Sequence, residues 1–502
     1  MPQPGEEQFQ HRKVKLEELR KLSIDPFPHR YSRSHTTQEA TDFLVQSEPG
    51  STDEAYRTAS VSVAGRVVAM RTMGRASFLN IQDGSGRLQL HLRRDLLGEK
   101  TYGLLKHVDL GDFLGTEGPL FRTKRGEPTQ EVKHLTILSK ALRPLPEKWH
   151  GLQDIEQRVR QRYLDLISNA PAREVFNTRS RIITSIRKFL DNRGFTEVET
   201  PILVPVAAGA MARPFITRHH SLDRTLYLRI ATELYLKRLI VGGFDKVYEI
   251  GRVFRNEGID QNHNPDFTLL ESYAAYSDYL EVMEMVEEMV FTIAQEVLGS
   301  DYITLGGVSI DLKPPWRRLS LLDEIHNQTG MDIRDYPDAR SLSTKMNSLG
   351  LETEARTSRG KLLDKLVSAV VEPLLIQPTF LMDYPVEMSP LAKRKAEDLS
   401  LVERFEAFIG GMEIANSFSE LNDPIEQRER FVEQEALNSE FQDEEVDRLD
   451  EEFLLALEHG MPPTGGLGIG IDRLVMALTG QEHLREVILF PQLRSRTSPG
   501  NH

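Results

Sequence analysis

The sequence contains no cysteine among its 502 residues. That absence excludes disulfide bonds, thiolate metal ligands and cysteine nucleophiles. Long hydrophobic runs are missing as well, because no apolar stretch approaches the length of a membrane span. The N-terminal segment is polar and charged, which does not predict a secretory signal. These absences predict a soluble, cytoplasmic protein without a membrane partner.

Positive charge is in deficit, with 62 Lys and Arg against 76 Asp and Glu and a formal net charge of −14. This balance disfavours nucleic-acid binding through overall charge, so any such partner must be held by local basic or aromatic patches. Hydrophobic residues make up 39% and charged residues 27%, which is ordinary for a globular protein. The length exceeds what one hydrophobic core supports and predicts at least two domains.

Changes in pattern along the chain predict its domains. Residues 1–57 are predicted to form a helical extension, and residues 58–142 contain five short alternating strands with glycine punctuation. Five strands in this length are typical of a small closed β-barrel of the OB type. A charged, proline-containing linker is predicted at 143–160. A large α+β domain, built on an antiparallel sheet flanked by helices, is predicted at 161–502, with a helical insertion near 316–375.

One face of the predicted barrel is a candidate nucleic-acid surface, because OB barrels stack single-stranded bases on aromatic side chains. Arg66, Phe78 and Gln89 are the candidates for that face. For Phe78 the alternative is a place in the barrel core, which is the commoner position for a single Phe on a strand.

The segment 247–273 predicts two strands around a polar loop. An Arg fork suits a phosphate, a Phe ring suits a purine, and carboxylates suit amines. The pattern therefore predicts nucleotide chemistry on an amine-bearing substrate, and the alternative is a surface hairpin with incidental charges. Its ligand-type residues are Arg255, Glu257, His263, Phe267, Glu271 and Tyr273.

The segment 401–424 predicts a second hairpin, with a turn at two consecutive glycines. Glu406 and Glu413 would then face each other directly or diagonally, which makes a hard-cation site for Mg²⁺ when a nucleotide triphosphate is bound. Asn416 and Glu420 continue along the same strand. The alternative is that one of the two carboxylates is simply solvated.

The segment 462–478 predicts a glycine-rich strand that leads into a helix, with Arg473 in its first turn. Glycines allow a ligand to approach the backbone, and a helix N-terminus attracts anions. The spacing matches neither a Walker loop nor GxGxxG, and tight packing is the alternative explanation.

A fourth candidate region has fewer ligand-type residues and consists of 207–215 and 231–239, where Glu233 begins a predicted helix. Amine binding and favourable helix capping explain this carboxylate about equally well.

Together these segments resemble the class II aminoacyl-tRNA synthetases, and within them the bacterial-type lysyl-tRNA synthetases. GFTEVETPIL is similar to the first motif of the class, with Pro201 at the expected dimer interface. FRNEG with HNPDFTLLE is similar to the second motif, and GLGIGIDRL to the third. The strings that resemble the lysine subgroup are ARPFIT, ELYLKRL, VGGF, YPVEMSPLAKR and ANSFSELNDP.

The resemblance implies a role for each candidate. Arg255 would bind the ATP α-phosphate and the lysine carboxylate, and Phe267 would stack on adenine, with Arg473 on its other face or near the γ-phosphate. Glu257 and His263 would also contact ATP. The remaining implied groups are the lysine α-amino site, Gly209 and Glu233; the ε-ammonium site, Glu420, Tyr273, Glu271 and Asn416; the Mg²⁺ ligands, Glu406 and Glu413; and the anticodon readers, Arg66, Phe78, Gln89 and Glu127.

The implied reaction joins lysine to ATP as an adenylate and then passes the lysyl group to the 3′ end of tRNA(Lys), within a homodimer. The departures from the family pattern are Ala208, Arg218, His220 and Asp266, and none removes a proposed ligand.

Three alternatives stay open at this point. An aspartyl- or asparaginyl-type synthetase would want cationic residues where the sequence has carboxylates. A ligase that modifies a protein with lysine would lack the barrel. A non-catalytic, synthetase-like RNA-binding protein would have lost ligand residues.

Overall fold

The computed structural model describes residues 6–48, 56–146, 154–354, 357–441 and 449–494. The chain divides into two compact units, Met1–Leu152 and Gln153–His502. Within the described ranges no helix combines the length and apolar character needed to cross a membrane. Part of the predicted linker, residues 147–153, lies outside the described residues, and the finer division into four segments stays a prediction.

The first unit is a small β-barrel preceded by two helices. Strand β1 pairs with both β2 and β4, so the order β1-β2-β3-β5-β4 closes on itself, and β6 adds to β4. The elements are α1 (Glu6–Lys21), α2 (Thr37–Ser47), β1 (Ser60–Met73), β2 (Ala76–Gln82), β3 (Arg87–Arg93), α3 (Arg94–Tyr102), β4 (Phe113–Arg122), β5 (Pro128–Val132) and β6 (His134–Ser139).

The five strands predicted from the sequence correspond to β1, β2, β3, β4 and β6, and the prediction lacks β5. Strand β5 is short and lacks the alternation of apolar and polar residues, because Thr129 and Gln130 are polar and fully buried. Their side chains are satisfied internally: Gln130 donates to the Val61 carbonyl at 2.9 Å and accepts from Thr116 at 2.6 Å. A strand of this kind is invisible to a search for hydrophobic periodicity.

The second unit contains the remaining elements. They are α4 (Ile155–Arg160), α5 (Arg162–Ser168), α6 (Ala170–Asp191), β7 (Thr196–Glu197), β8 (Leu203–Val204), β9 (Ile216–His219), β10 (Arg224–Leu228), α7 (Glu233–Val241), β11 (Lys246–Phe254), β12 (Asp266–Ala275), α8 (Tyr279–Ile293), β13 (Tyr302–Leu305), β14 (Val308–Asp311), β15 (Arg317–Ser320), α9 (Leu321–Thr329), α10 (Ala339–Ser348), α11 (Arg359–Val370), β16 (Thr379–Met382), β17 (Arg404–Ile409), β18 (Met412–Ser419), α12 (Pro424–Phe441), α13 (Glu451–Glu458), β19 (Thr464–Gly470), α14 (Ile471–Thr479) and α15 (Leu484–Val487).

An eight-stranded sheet organises this unit, in the order β15-β16-β17-β18-β19-β12-β11-β7. Its six central strands pair antiparallel, and the two outermost pairs are parallel. The segment 316–375 supplies edge strand β15 as well as helices α9 to α11. The α+β fold predicted from the sequence is confirmed.

The sheet packs one face against helices and leaves a cavity on the other. Helices α6, α8 and α14 contribute Ile186, Met289 and Leu474 to one core, in which all three are fully buried. Across the sheet, strands β12 and β18 carry polar residues that line the cavity, and β19 lines it with glycines and Leu467. The polar residues of two strands therefore surround a glycine-rich strip of backbone.

Candidate active site

A cavity of about 430 Å³ lies over the centre of the sheet. Residues from the two hairpin segments and the glycine-rich segment meet there, together with the loop between β8 and β9 and the first residue of α7. The predicted site residues that line it are Gly209, Glu233, Arg255, Glu257, His263, Phe267, Glu271, Tyr273, Glu413, Asn416, Glu420 and Arg473.

The hairpin of β11 and β12 places a guanidinium beside an aromatic ring. Phe254 pairs with Asp266 at the end of the ladder, and the Arg255 amide donates to the Pro265 carbonyl at 2.8 Å. The Arg255 guanidinium carbon is 5.1 Å from the centre of the Phe267 ring. Burial lowers the pKa of Arg255, and nearby carboxylates oppose that shift. Since Arg stays charged in proteins, this end of the cavity favours an anion next to a flat ring.

Arg473 joins the other two segments. Gly470 precedes helix α14, and Arg473 in its first turn places one guanidinium nitrogen 2.8 Å from a Glu413 carboxylate oxygen. Its second terminal nitrogen is 3.4 Å from Nε2 of His263, whose Nδ1 contacts Asp260 at 2.8 Å. Residues far apart in the sequence therefore surround one patch of the cavity.

Glycine at position 466 is required by close packing of the site. A Cβ atom there would come within 1.8 Å of a Glu420 carboxylate oxygen and 2.7 Å of the Tyr273 ring. Contacts that short force atoms to move. Gly466 thus leaves the space in which Glu420 and Tyr273 meet.

A β-bulge in the hairpin of β17 and β18 aligns its polar residues. Glu406 pairs with Asn416, Ala407 with Ala415, but Phe408 pairs with Glu413, so Ile414 is the extra residue. A bulge of one residue shifts the alternation of side chains. It brings Glu413 to the face that carries Glu406 and Asn416, and the two carboxylates are diagonal neighbours.

Glu406 is set back from the cavity, behind Arg404. Its carboxylate accepts a hydrogen bond from the Tyr384 hydroxyl at 2.7 Å and contacts the Arg404 guanidinium. Burial raises the pKa of Glu406 to about 7, Arg404 opposes this shift, and Glu413 adds to it. Among the described residues, no three carboxylate or imidazole side chains converge as a metal site. A divalent cation held by this pair would need further oxygens from a bound ligand and water.

The opposite end of the cavity is acidic and buried. Glu271 accepts hydrogen bonds from the Thr232 hydroxyl at 2.8 Å and from the Tyr273 hydroxyl at 3.4 Å. Burial, and next the charge of Glu233, raises the pKa of Glu271 to about 7. Burial likewise raises the pKa of Glu420, although contact with Lys237 opposes the shift. Carboxylates that are desolvated and close together favour a cationic occupant.

Gly209 closes the edge of this acidic end. Its φ of +91° favours glycine, and a Cβ atom would lie 3.4 Å from that of Glu233. The backbone at Gly209 can therefore approach a ligand held by Glu233.

The barrel of the first unit carries Arg66, Phe78 and Gln89 on its outward face, and Glu127 lies in the loop before β5. Phe78 is half-buried, lies outside the barrel core and stacks on His91 with ring centres 4.5 Å apart. Gln89 donates to Glu127 at 2.9 Å, and Arg66 donates to the Gly111 carbonyl at 3.0 Å. The alternative that places Phe78 in the core is wrong.

Sequence reasoning missed several residues at these sites. Arg404 lines the cavity and bonds Asn416, and it follows the same period-two spacing as Glu406. Lys237 contacts Glu233 and lies one helical turn after it. His91 faces outward in the alternating strand β3. Each of the three could have been found from its distance along the chain to a predicted residue: Arg404 from Glu406, Lys237 from Glu233 and His91 from Gln89.

Comparisons with known proteins agree with this geometry. Residues 154–494 match the family described as tRNA synthetases class II (D, K and N), and residues 61–138 match the OB-fold nucleic acid binding domain. The chain is 53% identical over 486 residues to a lysine–tRNA ligase of Dehalococcoides mccartyi, covering 97% of each protein.

Two further relatives carry the same name. A lysine–tRNA ligase of Moorella thermoacetica is 53% identical over 485 residues, covering 96% of each protein. One of Roseiflexus castenholzii is 50% identical over 489 residues, covering 97% of this chain and 98% of the relative. Likeness of this extent confirms the resemblance seen in the motifs, and the chain belongs to the class II tRNA synthetases of the D, K and N group.

Proposed function

We infer that this chain activates L-lysine with ATP to form lysyl-adenylate and transfers the lysyl group to the 3′ end of tRNA(Lys). The observation that carries the inference is the polarity of one cavity. Arg255 beside Phe267 marks an end suited to a nucleotide phosphate, and buried Glu233, Glu271 and Glu420 mark an end suited to a diamine. The full-length relatives named lysine–tRNA ligase support it.

At the nucleotide end, we assign Phe267 to stacking on adenine and Arg255 to the α-phosphate and the lysine carboxylate. Arg473 would contact the other face of adenine or the γ-phosphate, and Glu257 and His263 would also contact ATP. In-line attack of the carboxylate on the α-phosphorus needs no nucleophilic side chain. Catalysis would come from positioning the reactants and from stabilising the charge that develops on the phosphate.

At the lysine end, Gly209 and Glu233 would hold the α-ammonium group. Glu420 and Tyr273 would hold the ε-ammonium, with Glu271 and Asn416 beside them. The complete burial of Glu420 makes this contact selective, because a neutral side chain would leave a desolvated carboxylate unpaired.

Glu406 and Glu413 are proposed to hold Mg²⁺ together with phosphate oxygens. The raised pKa of Glu406, caused by burial and by the Glu413 carboxylate, supports a cation near this pair. A bound Mg²⁺ would neutralise phosphate charge. Arg404 and Arg473 each contact one of the two carboxylates and orient it.

On the barrel, Arg66, Phe78, Gln89 and Glu127 are proposed to read the anticodon. The outward, half-buried Phe78 ring is the stacking platform such a face requires. We also propose a homodimer. The two residues after Pro201 are Ile202 and Leu203, and their exposed apolar side chains offer a surface for the partner. The cytoplasm is the proposed compartment, because tRNA charging serves protein synthesis there.

The closest rival is an aspartyl- or asparaginyl-type enzyme, which shares the family and the barrel. An acidic substrate would need a free cation deep in the pocket. Lys237 is a buried cation behind the amine end, and it is already in contact with Glu233 and Glu420. The three carboxylates therefore favour a cationic substrate.

ATP–pyrophosphate exchange with each of the twenty amino acids tests the function. We expect exchange with L-lysine, and with aspartate and asparagine only at background level. Exchange that depends on aspartate or asparagine would overturn the assignment, and no exchange with any amino acid would favour a non-catalytic protein.

A further inference from the structure

Lys237 is a fully buried cation whose role the reaction above does not define. It lies in helix α7, one turn after Glu233, and its side chain has 0% exposure. Its ammonium contacts the carboxylates of both Glu233 and Glu420. Burial alone would lower the pKa of Lys237, but the two carboxylates raise it, so it stays charged.

The aromatic surroundings fix this ammonium in place. Its nitrogen is 5.5 Å from the centre of the Phe418 ring and 5.8 Å from that of Phe453. Aromatic faces attract a desolvated cation. Since Phe418 lines the cavity, Lys237 lies directly behind the wall of the amine site.

The charges at this end of the cavity do not balance without Lys237. Among the described residues that line it there, three carboxylates face each other: Glu233, Glu271 and Glu420. Tyr273 stays neutral because burial raises its pKa well above the usual value. Lysine brings two ammonium groups, while its own carboxylate pairs with Arg255. One carboxylate would remain unpaired, and an unpaired buried charge is strongly unfavourable.

We propose that Lys237 supplies the third positive charge and thereby sets the specificity of the pocket for a diamino acid. With Lys237 in place, the buried charges cancel when the occupant carries two ammonium groups. An occupant with one, such as norleucine, leaves a carboxylate unpaired. Lys237 also positions Glu233 and Glu420, the partners of the two substrate amines. This inference rests on the proposed function through lysine as the substrate.

A double-mutant cycle on Lys237 and Glu233 tests the proposal. Lysine KM, ATP KM and kcat are measured by pyrophosphate exchange for Lys237→Met, Glu233→Gln and the double variant. We expect Lys237→Met to raise lysine KM about 100-fold, because Glu233 and Glu420 lose the ammonium that positions them and favours their ionised form, with ATP KM changed less than about threefold. Removing one charge of each sign restores the balance. The double variant should therefore have a lysine KM at least about tenfold below the product of the single effects.

The matched control is Arg238→Met, on the next residue of the same helix. Arg238 pairs with Asp450 at 2.6 Å, outside the cavity. Its loss removes a half-buried ion pair without changing the charge of the pocket, so lysine KM should stay within about threefold of wild type. Thermal melts are recorded for every variant, and Lys237→Gln replaces Lys237→Met if the latter does not fold.

Three results separate the possible failures. Independent effects of the two substitutions on lysine KM would overturn the charge-balance role. A parallel rise of lysine and ATP KM in Lys237→Met, matched by Arg238→Met, would show that Lys237 only supports the fold. If the wild-type protein shows no lysine-dependent exchange, the proposed function itself fails.

Discussion

Glu271 is a buried carboxyl group whose ionised form destabilises the folded protein when no lysine is bound. We expect the lysine-free protein to become more stable when this charge is removed. The side chain is 6% exposed, and burial, with the charge of Glu233, raises its pKa from 4.5 to about 7. The folded protein therefore holds this proton more tightly than the unfolded chain does. Stability falls as pH rises from about 4.5 to about 7, and the whole penalty is present above that range.

The size of the penalty follows from the shift. A difference of about 2.5 pKa units corresponds to about 3 kcal/mol at pH 8, and to about 1 kcal/mol at pH 5.5, where the folded carboxyl is still protonated. Glu271→Gln removes the charge and leaves an amide oxygen to accept the Thr232 hydroxyl. We expect the lysine-free variant to be more stable than wild type by about 1–3 kcal/mol at pH 8, and by less at pH 5.5.

Urea denaturation of the lysine-free proteins at both pH values measures this difference. The control is Glu284→Gln, an exposed carboxylate in the middle of α8, which should change stability by less than about 0.5 kcal/mol. The same Glu271 variant should show a higher lysine KM, because the ammonium loses a charged partner. A less stable Glu271→Gln protein at pH 8, or an equal gain at both pH values, would refute the reasoning.

Three further predictions concern proton release, adenylation and tRNA. Because a bound ammonium favours the ionised form of Glu271, lysine binding near pH 7 should release protons, and its affinity should increase from pH 6 to pH 8. Calorimetry in two buffers of different ionisation enthalpy measures the proton release, and net proton uptake would contradict the prediction. Arg255→Ala should lower pyrophosphate exchange by at least about 1000-fold with an unchanged melting temperature, and single-turnover adenylation at the wild-type rate would remove its assigned role. Phe78→Ala should raise tRNA KM about tenfold or more and spare exchange, whereas equal losses in both assays would indicate a structural role.

Much of the site could be predicted from the sequence because each segment carries local patterns. Alternation in β11 and β12 places Arg255 near Phe267, and the glycines of β19 mark a close approach. What periodicity could not give was the bulge at Ile414, which depends on the pairing with β17, and the buried polar strand β5. Both are decided by neighbours distant in the chain.

Lys237 shows a second limit of sequence reasoning. In the sequence it is an ordinary lysine in an amphipathic helix, a position usually turned to water. Its buried partner Glu420 immediately follows strand β18, more than 180 residues later in the chain. A contact of that kind becomes visible only when the two segments are brought together in space.

The bulge residue Ile414 in β18 matters for any attempt to change the amino-acid specificity of the enzyme. On the roles proposed above, Glu413 lies upstream of the extra residue and would serve the phosphate end. Downstream, Asn416 and Phe418, with Glu420 just after the strand, would serve the amine end, so the bulge divides the segment into two halves. Substitutions in the second half should retune amino-acid choice while leaving nucleotide affinity intact. Deleting Ile414 would instead rotate one half against the other and disable both.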